Sequence, residues 1–156
     1  MEDFWKAGLS RRWHTNADLN HTVDSVGGHG SRVALLLLYF APNISREAII
    51  EAISHDLGEY KVGDFPAPFK WENPDLAKTI SKIEKEVVKS MGIPTFTLTP
   101  KETNLIKLCD MLDAWLWCKL HRPNLISRKD WKEMSKAMHN IAAELGVLHQ
   151  FLKMVR

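Results

Sequence analysis

The stretch EAISHDLGEYKVGDFPAPFKW, residues 51–71, sets an imidazole beside a carboxylate at His55 and Asp56 and adds Glu59 three residues on. Neighbours on a helix project about 100° apart, so one flat apolar interface cannot bury both side chains. A shared polar target accounts for the pair, and a metal ion suits the donor types. Further ligands must then come from elsewhere in the chain. His29 stands in VGGHGSRVA, and Asp110 in the largely apolar run IKLCDMLDAWLWC. Two imidazoles and two carboxylates suit a divalent ion such as zinc, cobalt, manganese or magnesium, with positions left for water and a phosphate oxygen. A single histidine or one His-Asp dipeptide carries little weight, because both are common as surface and core residues. The ordered set of His29, His55, Asp56 and Asp110 is far more specific. Asp113 lies one turn after Asp110 on the same face and reads equally well as part of a charged stripe. The apolar neighbours Leu108, Cys109, Met111 and Leu112 argue against full exposure of Asp110, and a buried carboxylate without partners is costly.

The elements that must position these residues read as helices joined by short loops. MEDFWKAGL suggests a brief helix, followed by a polar loop from Ser10 to Gly28. HGSRVALLLLYFA is apolar all round and predicts a buried central helix opened by His29. APNISREAIIEAISHDLG has start signals at Asn43 or Ser45, with Glu47 in the first turn and Gly58 near its stop, so His55 and Asp56 end it. Pro66 and Pro68 predict a loop through VGDFPAPFKW. A capped amphipathic helix follows, with Pro74 early and Gly92 at its end. Another runs from Thr99 and Pro100 to about His121, and a last one from Ser127 to the end of the chain. No alternating strand pattern, repeat or low-complexity stretch is visible. The expected fold is all-α, a single compact helical domain over residues 1–156.

Composition narrows the function classes. The 156 residues are 45% hydrophobic and 26% charged, which favours a folded globular chain over disorder. A net charge of +2 without a basic-aromatic repeat gives no basis for nucleic acid binding. The apolar run from Val33 to Ala41 is too short to span a bilayer, which needs roughly 20 residues. The charged N-terminal sequence does not read as a secretory signal. Cys109 and Cys118 fall on opposite helix faces and cannot bridge, which fits two free thiols in a reducing cytoplasm.

The order H…HD…D resembles the HD-domain phosphohydrolases, a helical superfamily that binds a divalent metal. Within it the chain is most similar to the small 5′-deoxynucleotidase branch. The resemblance rests on Arg12-Trp13, on HDLGEYKVGDFPAPFK as HDxxE followed by GDxPxPxK, and on the KxxD spacing of Lys107 and Asp110. It covers residue 11 to about residue 120. It implies an HD-domain bundle in which His29, His55, Asp56 and Asp110, rather than Asp113, hold the metal. It assigns Glu59 as the catalytic carboxylate, and its spacing from His55 and Asp56 aims it at the same target if the helical turn continues past Gly58. Arg12, Lys70 and Lys107 are then the cations for phosphate, Asp64 the reader of the sugar 3′-hydroxyl, and Trp13 a wall for the base.

Two traits depart from the bacterial nucleotidases: the short interval of 25 residues between His29 and His55, and the glycine-rich SVGGHGS. Small residues there suggest extra room beside the metal for more than one phosphate. In both traits the chain looks more like the phage dATP triphosphohydrolases, which implies conversion of dATP to deoxyadenosine and triphosphate in a host cytoplasm. The alternatives are a 5′-deoxynucleotidase acting on deoxynucleoside monophosphates and a catalytically inactive nucleotide-binding domain. Cyclic dinucleotide phosphodiesterases fit less well, since no GYP follows the HD pair. The resemblance also implies a homo-oligomer, a dimer or a hexamer; six tryptophans in a small chain agree with buried interfaces.

Overall fold

The computed structural model describes residues 2–156, apart from the side chains of Ala67, Pro68 and Trp71. Its helices are α1 (Asp3–Gly8), α2 (Val26–Phe40), α3 (Arg46–Ser54), α4 (Glu59–Val62), α5 (Ala67–Glu72), α6 (Pro74–Ser90), α7 (Pro100–His121), α8 (Lys129–Glu144) and α9 (Leu148–Val155). A 3₁₀ turn, Pro123–Ser127, joins α7 to α8. The described residues form no strand, only an isolated antiparallel bridge between Arg11 and Ser25, so the all-α expectation holds. None of these helices is long and apolar enough to cross a membrane.

Local chemistry explains most of the boundaries. Of the two candidate caps for α3, Ser45 serves: its Oγ accepts from the Ala48 amide at 3.1 Å. At α7, Thr99 Oγ1 accepts from the Glu102 amide at 3.2 Å, and the Glu102 carboxylate accepts from the Thr99 amide at 2.9 Å. This reciprocal box satisfies two amides that the first turn leaves open. The expected loop through Pro66 and Pro68 is corrected to a loop that runs into α5, with Pro66 as cap and a proline in the first turn. A proline there gives up no helical hydrogen bond. The expected single C-terminal helix is likewise corrected, because it breaks between α8 and α9 at Gly146, whose φ is +75°. That left-handed conformation suits glycine and ends α8.

The chain divides into two compact units. One comprises the segment up to Ser31 together with Ile53–Phe96, and the other Arg32–Ala52 with Thr97–Arg156. In the first, Ala7, Val26, Leu57 and Val88 form a small core against which Tyr60, Met91 and Ile93 pack. Its glycines bring backbones together. A Cβ on Gly27 would stand 2.9 Å from the Gly8 carbonyl oxygen, and one on Gly58 would stand 2.5 Å from the Glu84 carbonyl oxygen. A Cβ on Gly30 would collide with the Ile53 carbonyl oxygen. The room expected beside SVGGHGS is therefore taken, at Gly27 and Gly30, by neighbouring backbone. α2 starts at Val26 rather than at His29, because Ser25 caps it, its Oγ accepting from the Gly28 amide at 3.0 Å.

In the second unit α7 carries most of the core, with Leu105, Ile106, Leu108, Cys109, Leu112, Trp115 and Cys118 buried. Both cysteines are free, as expected. Met138 and Ala142 on α8 and Phe151 on α9 are buried as well. Lys119 Nζ donates to the carbonyls of Val155, at 3.3 Å, and Arg156, at 2.5 Å, tying down the end of α9. The expectation of a fully buried α2 is corrected here: Leu35, Leu38 and Tyr39 form an exposed stripe, with Leu35 65% accessible.

Gly30→Ala is expected to lower unfolding free energy by about 1–3 kcal/mol, the usual cost of forcing a methyl into a filled space. Denaturant melts of the two proteins check this; equal midpoints would refute the contact.

Candidate functional site

The site is assembled at one end of the α2–α3 approach in the first unit. His29 lies in the first turn of α2 and is fully buried. After α3 ends at Ser54 the backbone turns tightly, with Leu57 N donating to Ser54 O at 3.1 Å and Glu59 N to Asp56 O at 3.0 Å. His55 and Asp56 therefore sit on a turn just beyond α3, where they were expected as its last residues. His29 Nε2 lies 3.3 Å from His55 Nε2 and 3.4 Å from Asp56 Oδ2. His55 Nε2 is 3.4 Å from Asp56 Oδ1.

Two imidazole nitrogens and the two oxygens of the Asp56 carboxylate, 3.3–3.4 Å apart in these pairs, fit one side of a metal's coordination shell. Ligands about 2.0–2.2 Å from an ion stand roughly 3.0–3.5 Å apart at octahedral or tetrahedral angles. Two imidazole nitrogens and a carboxylate are also donors that borderline divalent ions accept. The residues present thus fit a divalent cation in both spacing and chemistry.

Glu59 opens α4, and its carboxylate is 9% exposed. Burial first, then the nearby Asp56 and Asp64, push its carboxyl up to about 9, with Lys70 pulling the other way and Glu84 adding to the rise. Lys70, on α5, places Nζ 4.0 Å from Glu59 Oε1 and 3.7 Å from Glu84 Oε1. Burial also raises the Glu84 carboxyl, opposed by Lys70. Asp64 lies with Glu59, Arg11, His14 and Tyr60 on the wall of a cavity of about 300 Å³.

Arg12 and Trp13 share one partner. Arg12 Nη1 and Trp13 Nε1 both donate to Asp24 Oδ2, at 3.3 and 3.2 Å. Arg12 also packs over the Trp13 ring, 5.0 Å from its centre. Asp110 and Lys107 belong to the second unit. Both are on α7, one turn apart on the same face, Asp110 half-buried and Lys107 exposed. Asp113 has a different partner: Arg32 grips it with Nε–Oδ1 at 2.6 Å and Nη2–Oδ2 at 3.1 Å. The Arg32 guanidinium also stacks 4.6 Å from the centre of the Trp117 ring.

Asp24, Glu84 and Arg32 escaped the sequence reading. Asp24 in TVDSV reads as an ordinary helix-entry acid, and Glu84 in SKIEKE as one charge among several on a solvated face. Arg32, 81 residues from Asp113, left no local signal of that pairing.

A family model for the YfbR-like 5′-deoxynucleotidases matches residues 8–153. The chain belongs to that family. Among curated proteins it is similar to a dATP triphosphohydrolase of Cyanophage S-2L, 34% identical over 49% of this chain and 42% of that protein. It is similar to the 5′-deoxynucleotidase plu3092 of Photorhabdus laumondii, 35% identical over 51% of this chain and 48% of the relative. A 5′-deoxynucleotidase of Erwinia tasmaniensis is 30% identical over 70% of this chain and 66% of its own. The chain spans about half the length of the first two of these relatives. No solved structure matches the chain significantly.

Two outcomes follow from the geometry. Asp113→Ala strands Arg32 and is expected to cost about 3 kcal/mol, the low end for a broken buried pair because Arg32 is one-third exposed. An unchanged denaturation midpoint would contradict this. Glu59 binds its proton more tightly folded than unfolded. Its stabilising contribution is therefore complete below pH 4.5 and fades as pH climbs towards about 9. Glu59→Gln removes that slope. In metal-free protein the melting temperature of the variant should gain on that of the parent between pH 5 and pH 9; a constant gap would show that Glu59 titrates normally.

Proposed function

We propose that this protein is a metal-dependent phosphohydrolase acting on deoxynucleotides at the phosphorus that carries the 5′-oxygen. The supporting observation is the convergence of His29, His55 and Asp56, with pairwise contacts of 3.3–3.4 Å, beside the buried carboxyl of Glu59. Asp110 completes the ligand set, because it ends the KxxD run while Asp113 is committed to Arg32. A divalent ion held by these residues would make a water more acidic and draw charge from a phosphoryl oxygen.

The remaining steps belong to the protein's own side chains. Glu59 exchanges a proton with the attacking water and with the departing 5′-oxygen, a role typically worth about 10²–10⁴-fold. Lys70, Arg12 and Lys107 hold negative charge on the transferring phosphoryl group. Asp64 accepts a hydrogen bond from the sugar 3′-hydroxyl, and Trp13 borders the base.

The finer reading is hydrolysis of dATP to deoxyadenosine and triphosphate, with zinc, cobalt, manganese or magnesium. It draws on the likeness to the cyanophage enzyme and on the short interval between His29 and His55. A 5′-deoxynucleotidase acting on monophosphates is the second reading, favoured by the bacterial relatives. The same residues serve both, since the attacked phosphorus is the one next to the sugar. We also propose that copies of the chain associate through Leu35, Leu38 and Tyr39 of α2; a monomer at assay concentration in sedimentation would argue against it.

Turnover of the four dNTPs and four dNMPs separates the two readings. In ¹⁸O water, attack next to the sugar leaves deoxyadenosine unlabelled and puts the label in triphosphate from dATP, or in phosphate from dAMP. Labelled phosphate with accumulating dADP would refute the reading. His55→Ala and Asp110→Ala should lose bound metal and activity, whereas Asp113→Ala should keep metal; the reverse metal content would reassign the ligand.

A further inference from the structure

Asp24 lies outside the metal ligands, yet three features of the first unit meet on it. Its side chain is almost wholly enclosed, at 1% exposure, and a buried carboxylate needs partners. One oxygen, Oδ2, accepts from the Arg12 guanidinium at 3.3 Å and from the Trp13 indole at 3.2 Å. Its backbone carbonyl accepts from the Arg12 amide at 3.1 Å, so the same residue grips Arg12 at both ends. The neighbouring Arg11–Ser25 bridge keeps the two chain segments side by side.

The third feature is strain. Trp13 has φ +65° and is the only non-glycine residue with positive φ among those described. A bulky side chain held there costs of the order of 1–2 kcal/mol, which persists only where surrounding contacts impose it. The bond from Trp13 Nε1 to Asp24 is one such contact, and the stacking of Arg12 on the indole is another. Only four residues separate Asp24 from the buried His29, so the clamp is anchored close in the chain to the proposed metal ligands.

We infer that Asp24 is a positioning residue for substrate: it aims the Arg12 guanidinium at the phosphate and fixes the Trp13 indole as the wall of the base site. This rests on the substrate roles proposed for Arg12 and Trp13. The Asp24 carboxylate is enclosed, and the contacts of its Oδ2 with Arg12 and Trp13 suit a role exerted through those two residues. A carboxylate that merely stapled the loop would influence stability and leave nucleotide affinity alone.

The test is a double-mutant cycle with Asp24→Asn, Arg12→Ala and their combination, using whichever of dATP and dAMP is turned over. Asparagine keeps an acceptor for Trp13 and removes the charge that orients Arg12. Asp24→Asn should raise KM about tenfold with kcat within about twofold, as expected when a charged hydrogen bond is lost from binding. The double variant should be no worse than Arg12→Ala alone. Fluorescence titration of metal-free protein with the same nucleotide should show the same weakening, independent of turnover. Asp24→Ala, which also removes the Trp13 acceptor, should additionally shift the indole N–H resonance of Trp13 and flatten the preference among bases. If Arg12→Ala weakens binding and Asp24→Asn leaves it unchanged, or the two effects add, the positioning role is wrong while the substrate role of Arg12 stands. If Arg12→Ala has no effect on KM or nucleotide binding, the substrate role itself fails and this inference with it.

Discussion

The site depends on how closely two backbones meet. At Gly30 no side chain intervenes between α2 and the Ile53 carbonyl; His29 adjoins that contact on one segment, and His55 follows it by two residues on the other. Any side chain at Gly30 would push the two segments apart and open the 3.3 Å separation of the imidazole nitrogens. The other close contacts act in the same direction. Gly27 lets the start of α2 settle on α1 at Gly8, and Gly58 lets α6 settle on the turn that carries His55 and Asp56. The close approach of His29, His55 and Asp56 is thus maintained by glycine contacts that themselves carry no chemistry.

Around that turn the charges are unevenly matched. Asp56, Glu59, Asp64 and Glu84 act on one another electrostatically, Lys70 opposes the rise at Glu59 and Glu84, and burial raises both of those carboxyls. An acid-rich, partly dry site resolves this either by retaining protons or by taking up positive charge. Both suit a site that handles protons near a cation. The second unit resolves its own buried acid differently: Asp113 is neutralised by a bidentate arginine and plays a packing role. Of the two carboxylates one turn apart on α7, Asp113 is therefore marked off by its arginine.

How much of this was legible depended on the range of the interactions. Ser45, the Thr99–Glu102 box, Pro74 and Gly92 act within a turn of their own positions, so the boundaries of α3, α6 and α7 could be read locally. Gly27 and Gly28 looked like loop residues because the backbone contact at Gly27 is made with α1, distant in sequence. Pro66 and Pro68 looked like helix breakers, although a proline in the first turn starts a helix as readily as it stops one. Gly146 broke a helix that its apolar neighbours seemed to carry through. The donor set of His29, His55 and Asp56 could be read from residue types, but Asp24, Glu84 and Arg32 could not. Their partners stand 11 or 12 residues away for Asp24, 81 for Arg32 and 14 for Glu84, and only folding brings them together.

Cys109 sits immediately before Asp110 in the chain and is fully buried. Burial, reinforced by the Asp110 charge, pushes its thiol far above the range in which thiolate forms. Thiolate is the species that captures zinc and reacts with peroxide. A thiolate next to a carboxylate proposed as a ligand would be a rival for the ion and a point of oxidative damage. Here the thiol is electrically silent, so neither a passing oxidant nor a soft metal finds a foothold beside Asp110.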